Sequence, residues 1–415
     1  MMRVLVVLLA LGIASHGALA QSPMARMPEI RREIQAGNAR NALAILRSIQ
    51  AEVAGHPNFT FLRAHAYGAA GILDSAEMDI RRLLRWDARY AQLALRDTSV
   101  AALRPRFRNI DSLAARDARP VNHASVWATI NEPDLVAEGT AYDPATRSVL
   151  IGSLHKYKIL AIGPDGAVSE RVAPRAGGIH SIVGIHVDSV RGILWAASNP
   201  RFDAPDDSTP SALFAFDART GAFRQKLPVP AGGARFINDI TTAPDGTVFV
   251  TDSRAGRVWT ARPGETALRD FGAIGPMLNP NGVTISTDGR VLFVSDVDHI
   301  RAHDLTNGHT WRLGVPDSLT VSGVDGLAFH EGSLIAHHPL QFWRVARYHL
   351  DGSLRRITRR TLIEANSPDG RTSTTGEVVG GDYVFIGNSQ IDRMNQRQID
   401  AAAMQPIRIY RILLP

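Results

Sequence analysis

Cysteine is absent from the 415-residue chain. Its absence excludes disulfide frameworks, thiolate metal sites and cysteine nucleophiles. Lysine is nearly absent as well, with only Lys156, Lys158 and Lys226, so scattered arginines carry most of the positive charge. Although the formal net charge is +6, no basic run with interleaved aromatic residues occurs. We therefore expect no nucleic-acid partner.

Long apolar runs are also missing, except at the N-terminus. There Arg3 is followed by an apolar run over residues 4–14 and by the small-x-small sequence Ala18-Leu19-Ala20. This pattern is typical of a signal peptide, which we assign to residues 1–20. It predicts a periplasmic or secreted protein. No later segment reaches eighteen apolar residues, so we expect no membrane span in the mature chain.

A helical periodicity covers residues 28–118. Apolar residues recur there at three- and four-residue spacing, which predicts helices over 29–35, 39–52, 59–70 and 75–85. Gly37 and Ala42 recur 34 residues later as Gly71 and Ala76, and that period resembles the tetratricopeptide repeat. We predict a tetratricopeptide-like region over 21–118, which can offer a groove to a peptide or protein partner. A generic helical bundle is the alternative.

From residue 121 onwards, short apolar strands alternate with turn signals. Asp-Gly or Glu-Gly pairs recur at 165–166, 245–246, 288–289, 331–332 and 351–352. Six positions mark successive units at intervals of roughly forty to fifty residues, the length of a four-stranded propeller blade; they are Glu138, Gly184, Asn238, Asn281, Asp325 and Gly376. The predicted fold is mainly β: a six-bladed β-propeller over 119–415, preceded by a small α-helical repeat domain.

Four of these markers are polar and occupy equivalent positions. Asn238 and Asn281 each lie seven residues before an Asp-Gly turn, and Asp325 lies six residues before Glu331-Gly332. Glu138 has a similar offset from the turn at 144–147. Equivalent positions on different blades would bring two carboxylates and two amides to one mouth of the central channel. Such an all-oxygen site suits a hard divalent cation, Ca²⁺ first. The alternative is that these are ordinary turn residues.

The motifs around these positions resemble one enzyme family. They are Glu138-Gly139, the segment 235–239 (RFIND), the segment 280–283 (PNGV), the segment 286–296 (STDGRVLFVSD) and the segment 324–328 (VDGLA). Over about residues 130–415 they are similar to the senescence-marker-protein/gluconolactonase family of regucalcin-like propellers.

The resemblance implies a divalent cation, usually calcium, deep in the channel mouth. Its ligands would be Glu138, Asn281 and Asp325, with Asn238 at the metal or the substrate. Arg235 lies near the place of a substrate-binding arginine in some members, with one extra residue between it and Asn238.

These residues predict an exported, calcium-dependent hydrolase of lactones or related esters. A bound cation polarises a carbonyl group, and Asp325 could act as general base. His180, His186, His337 and His338 are further candidates for a base. The motifs of serine esterases, zinc proteases and phosphate-binding loops are absent. The alternative is a non-catalytic binding propeller with a helical-repeat adaptor, in which the cation is structural.

Overall fold

The computed structural model describes residues 23–202, 204, 208–339, 342–367, 373–394, 399 and 401–414. The predicted signal peptide, 1–20, lies outside these residues. Within them, seven α-helices precede the first strand: α1 (Pro23–Gln35), α2 (Ala39–Ser48), α3 (Gln50–Val53), α4 (Pro57–Ala69), α5 (Leu73–Trp86), α6 (Ala88–Ala94) and α7 (Ile110–Asp117). A 3₁₀ helix, Thr98–Phe107, separates α6 from α7. None of the helices in these ranges is both long and apolar enough to span a membrane.

The repeated positions of the helical segment have matching environments. Gly37 and Gly71 end their helices with φ of 78° and 75°, a left-handed conformation that glycine adopts at little cost. Ala42 and Ala76 are both fully buried, because each faces a neighbouring helix across the core. The helix predicted over 39–52 is divided at Ile49 into α2 and α3. The tetratricopeptide assignment itself stays a prediction.

The strands confirm the predicted six-bladed propeller. Four of the six sheets run outward from an inner strand in chain order, and the last two do so except for their outermost strands, which precede the first blade in the sequence. The blades are β3 (Ala137–Asp143), β4 (Ser148–Ser153), β5 (Ile159–Ile162) and β6 (Val168–Val172); β7 (Ser181–Asp188), β8 (Ile193–Asn199), β9 (Ala212–Asp217) and β10 (Phe223–Pro228); β11 (Ile237–Thr242), β12 (Val248–Asp252), β13 (Arg257–Ala261) and β14 (Arg269–Asp270); β15 (Val283–Ile285), β16 (Val291–Ser295), β17 (Ile300–Asp304) and β18 (Thr310–Arg312); β19 (Leu327–His330), β20 (Ser333–His338), β21 (Arg344–Leu350) and β22 (Ile357–Ala365); and β23 (Gly376–Val379), β24 (Asp382–Ile386) and β25 (Ile407–Leu413).

Apolar cores lie between neighbouring blades. The second strands, such as β12 and β16, are buried on both faces, because each packs between two adjacent sheets. Leu150 of the first blade and Ile182 of the second share one such core, and Phe293 and Tyr348 share another between the fourth and fifth blades. The fourth strand β6 is largely exposed, as expected at the outer edge. Radial packing therefore buries surfaces that a single hairpin could not.

Two short strands from before the first blade complete the last two sheets. β1 (Val121–Asn122) pairs with β22, and β2 (Ser125–Ile130) pairs antiparallel with β25. In the second pairing, Val126 lies opposite Tyr410 and Ile130 opposite Ile407. Because β2 precedes the first blade and completes the sixth, it closes the ring of blades.

The helical segment contacts loops of the propeller. The Asn366 side-chain amide donates to the Asp117 carbonyl over 2.9 Å, at the end of α7. The Tyr90 ring on α6 packs edge-on against Phe342, with the centroids 4.8 Å apart. Both propeller residues lie in loops at the end of the blades where the inner strands begin. The helices therefore pack against that end of the propeller, outside the blade cores.

We predict that limited proteolysis cuts between about 114 and 124 and leaves a folded propeller. The propeller cores contain β2 but no helix, so a chain beginning at Arg119 keeps every blade complete. A chain beginning at Asn131 lacks β2 and should unfold at a lower temperature and less cooperatively. Circular dichroism during heating tests both chains. Loss of the fold in the chain that begins at Arg119 would contradict the independence of the propeller.

Candidate metal and active site

The four polar markers lie at one end of the central channel. Glu138 and Asn238 are the second residues of β3 and β11, and Asn281 and Asp325 lie two residues before β15 and β19. The turns at 245–246, 288–289 and 331–332 join inner strands to second strands at the opposite end, and those at 165–166 and 351–352 join third strands to fourth strands. We call the end where the inner strands begin the channel mouth.

Glycines beside these residues let the inner strands approach one another closely. A Cβ atom on Gly326, next to Asp325, would lie 2.6 Å from the Thr374 carbonyl oxygen. A Cβ on Gly282, next to Asn281, would collide with the Asp325 carbonyl oxygen. These glycines are therefore needed for packing between blades, and the same packing holds the adjacent polar residues around a narrow mouth.

Asn281 and Asp325 are in direct contact. The Asn281 side-chain nitrogen donates to Asp325 Oδ1 over 2.6 Å. This bond leaves the buried Asn281 Oδ1 without a hydrogen-bond partner. Glu138 is also buried, and its Oε2 has no partner either. Buried polar atoms are nearly always satisfied in folded proteins, so two unsatisfied oxygens are consistent with a missing cation.

The electrostatics support the same interpretation. Burial and the negative charge of Asp325 raise the pKa of Glu138 well above its usual range. Burial also raises the pKa of Asp325, although the hydrogen bond from Asn281 partly offsets the effect. Like charges held together in a buried site favour uptake of a proton or a cation.

Side-chain amides and water would have to complete such a site. Among the residues that the structure describes, no three His, Asp or Glu side chains are arranged to hold a metal ion. Glu138 and Asp325 provide two carboxylates, and Asn281 provides an amide oxygen. This donor set fits Ca²⁺, which accepts carboxylate, amide and water oxygens in flexible geometries. The ligand assignment remains a prediction.

Asn238 is connected to the site through Ser253. Its side-chain nitrogen donates to the Ser253 hydroxyl over 3.1 Å, and that hydroxyl donates to the Pro280 carbonyl over 2.6 Å. Thr251 on the same blade donates to the Asn281 carbonyl over 2.7 Å. Asn238 is thus linked to the segment that carries Asn281, and its predicted substrate role remains a prediction.

Arg235 is held by residues of its own blade. Its guanidinium lies over the Trp259 ring, 5.1 Å from the centroid, and 3.9 Å from Asp252. Within the described parts of the chain, no recorded contact joins Arg235 to Glu138, Asn281 or Asp325. Its predicted substrate role would require the side chain to move away from Trp259.

The sequence analysis missed two carboxylates inside the channel. Asp239 and Glu377 line a cavity of about 100 Å³ between the inner strands. Burial and the charge of Asp325 raise the pKa of Asp239 to about 8, and burial raises the pKa of Glu377 to about 7. The sequence feature that could have identified them is their position directly after the unit markers Asn238 and Gly376.

The channel wall is otherwise rich in hydroxyl groups. The threonines at the cavity are Thr140, Thr241, Thr284 and Thr375. The Thr140 and Thr375 hydroxyl oxygens lie 3.0 Å apart, which joins the first blade to the sixth. The cavity is therefore polar, although it is small.

Two of the candidate histidines are tied to the fold through both ring nitrogens. His337 contacts the Tyr383 and Ser373 hydroxyls through its two ring nitrogens, at 2.8 and 2.9 Å. Burial lowers its pKa to about 3. The ring nitrogens of His338 contact the Tyr348 hydroxyl at 2.9 Å and the Ser322 carbonyl at 3.0 Å. These contacts favour structural roles for both.

His186 lines the channel cavity, and its Nε2 lies 2.9 Å from the Thr242 hydroxyl. Burial lowers its pKa to about 4, so it is neutral at physiological pH. His180 lies at the start of β7, with its ring centroid 6.0 Å from that of Tyr157.

Comparison with known proteins gives similarity of fold. No protein-family model and no curated protein sequence matches the chain. The chain is similar to a gluconolactonase from Xanthomonas campestris, with 17% identity, 72% of this chain and 100% of that chain covered, and a TM-score of 0.49. It is similar to the calcium-binding protein regucalcin from Agrobacterium tumefaciens, with 16% identity, 69% and 93% coverage, and a TM-score of 0.48. A streptogramin B lyase has 14% identity, 70% and 98% coverage, and a TM-score of 0.47.

Glu377, which is partly buried on the cavity wall, predicts a dependence of stability on pH. The folded chain keeps a proton on Glu377 up to about pH 7, whereas an unperturbed glutamate releases it near 4.5. The folded state thus binds more protons within this window, so Glu377 makes the free energy of unfolding fall as the pH rises. Glu377→Gln should exceed the wild type in stability by about 1–3 kcal/mol at pH 8 and match it near pH 4.

Urea unfolding at several pH values measures this difference. Glu170→Gln is the control, because Glu170 is exposed on the outer strand β6. A difference between wild type and Glu377→Gln that does not change with pH would show that Glu377 keeps its ordinary acidity.

Proposed function

We propose that the protein is an exported, calcium-dependent hydrolase of lactones or related esters. The observation that carries the proposal is the pair of unsatisfied buried oxygens on Glu138 and Asn281, next to the carboxylate of Asp325. The N-terminal pattern over 1–20 supports export. The comparisons support the propeller fold, and the chemistry is argued from the residues of the mouth.

Glu138, Asn281 and Asp325 would hold the cation. When bound, the cation polarises a substrate carbonyl and stabilises the oxyanion formed on attack. The chain's own residues have separate tasks. Asp325 would act as the general base: its Oδ2, which takes no part in the hydrogen bond from Asn281, would accept a proton from an attacking water. The hydrogen bond from Asn281 fixes the orientation of that carboxylate.

Asn238 would orient the substrate. Its side-chain nitrogen is engaged by Ser253, so the amide group is fixed in orientation, and the amide oxygen can accept a hydrogen bond from a substrate hydroxyl. Val283 and Leu327 line the narrow cavity beneath the mouth. A polar group of fixed orientation above a narrow cavity is typical of a preorganised binding site.

One observation favours the alternative, a non-catalytic binding propeller with a helical adaptor. The channel cavity measures about 100 Å³, whereas pockets for small organic ligands commonly measure roughly 300–1,000 Å³. A substrate would therefore have to bind above the mouth rather than inside the channel. In the alternative, the cation would stabilise the inner strands.

We expect hydrolysis of small lactones that is stimulated by calcium, lost on chelation and restored by calcium. The cation would neutralise Glu138 and Asp325 and activate the carbonyl group. A panel of aliphatic, sugar and aryl lactones and esters, assayed with and without chelator, measures this. Calcium binding without turnover on any of these substrates would favour the binding propeller.

Asp325→Asn should weaken calcium binding by about 1–3 kcal/mol, because a charge-assisted contact is replaced by a neutral one. Activity at saturating calcium should fall further, because the general base is lost. Calorimetric titration and rates at saturating metal separate the two effects. Asp245→Asn is the control, because Asp245 lies in the β11–β12 turn, where Asn can still accept the bond from Thr247. Asp369, which the sequence places in a turn, lies outside the described residues. Equal calcium affinity in wild type and Asp325→Asn would mean that Asp325 is not a ligand.

A further inference from the structure

A four-residue loop connects β16 to β17 at the channel mouth, and we call residues 296–299 the bridging loop. The buried Asp296 accepts hydrogen bonds from the backbone of Leu278 over 3.1 Å and of Asn279 over 2.8 Å. These two residues lie just before Asn281. The bridging loop therefore fixes the segment from which Asn281 reaches the mouth.

The same loop holds the segment that carries Asp325. The Val297 carbonyl accepts bonds from the Ser322 hydroxyl over 3.1 Å and from the Gly323 backbone over 3.2 Å. Asp325 follows two residues later, and its own backbone nitrogen donates to the His337 carbonyl over 2.8 Å. Two of the predicted ligands thus depend on one loop for their placement.

The helical segment contacts this arrangement at Gly55, between α3 and α4. The Gly55 nitrogen donates to Asp298 Oδ2 over 2.8 Å, and the Gly55 carbonyl accepts from the Thr320 hydroxyl over 2.8 Å. A Cβ on Gly55 would lie 3.0 Å from the Asp298 carbonyl oxygen, so the two backbones approach closely. One residue of the helical segment therefore binds both the bridging loop and the segment before Asp325.

His299 reinforces the loop from within. Its Nδ1 lies 2.9 Å from Asp298 Oδ1, and its Nε2 lies 3.8 Å from Asp296 Oδ2. His299 thus holds the carboxylate that binds Gly55, and its Nε2, which has no hydrogen-bond partner among the described residues, lies beside the carboxylate that holds the Asn281 segment.

We propose that the helical segment is a positioning element of the mouth, which holds Asn281 and Asp325 in place through Gly55, Thr320 and the bridging loop. The expected effect on calcium affinity rests on the proposed function, whereas the expected effect on the position of residues 318–326 does not. Carboxylates that repel one another must be held in place by their supporting residues, and supporting hydrogen bonds commonly tune metal affinity. The helices would thus serve the site of the propeller in addition to any partner they bind.

The test uses the full mature chain with Asp298→Ala and Thr320→Val, each of which removes one hydrogen bond to Gly55. Thr320→Val also removes the bond that its hydroxyl accepts from the Ser322 backbone over 3.1 Å, whereas Asp298→Ala leaves that bond in place. Thr320→Ser restores the hydroxyl group. Thr358→Val is the matched control, because the Thr358 hydroxyl also donates to one backbone carbonyl, that of His349 over 3.1 Å, on strand β22. Two quantities are measured: amide hydrogen exchange over residues 318–326, and the calcium dissociation constant by calorimetry.

In Thr320→Val and Asp298→Ala we expect the amide hydrogens of residues 318–326 to exchange about fivefold to tenfold faster than in the wild type. Calcium binding should weaken by a similar factor, because that factor corresponds to the loss of one hydrogen bond. Thr320→Ser should be close to wild type, and Thr358→Val should change neither quantity. Unchanged exchange over 318–326 in Asp298→Ala would overturn the inference, whatever Thr320→Val shows. If the wild type binds no calcium, the proposed function fails, and hydrogen exchange alone decides whether the helices hold this segment.

Discussion

The arrangement of the mouth depends on one constraint: two buried carboxylates, Glu138 and Asp325, stand close enough for one to raise the pKa of the other. Close packing of the inner strands enforces this proximity. At Gly282 and Gly326 the backbone of the next blade is so near that even a Cβ atom would collide with it. The repulsion disfavours the doubly ionised site until a proton or a cation enters. We propose that the cation binds at the unsatisfied oxygens of Glu138 and Asn281.

Much of the fold could be predicted, because a blade is a local unit. Turns such as Asp245-Gly246 and buried runs such as β12 and β16 leave their pattern within a few residues of sequence. Strand β2 could not be assigned in this way, because its partner β25 lies at the other end of the propeller sequence. The break at Ile49 was also missed, since the apolar periodicity continues through α2 into α3.

The candidate site was only partly predictable. Regular spacing from the turns identified Glu138, Asn281 and Asp325, because equivalent strand positions become neighbours in a propeller. Asp239 and Glu377 were missed, because each directly follows a unit marker and only the markers were assigned to the channel mouth. Both residues line the channel wall. The docking of Gly55 onto Asp298 and Thr320 involves residues more than 240 positions apart, and nothing in the local sequence indicates it.

The central claim is that Glu138, Asn281 and Asp325 hold one divalent cation. Calcium titration of the mature protein, with Glu138→Gln in parallel, tests it most directly. Gln preserves the shape of Glu138 and removes its charge, so the change in affinity reports the carboxylate itself. The account predicts one calcium ion per chain and clearly weaker binding in Glu138→Gln. No binding to the wild type, or equal affinity in the two proteins, would contradict it.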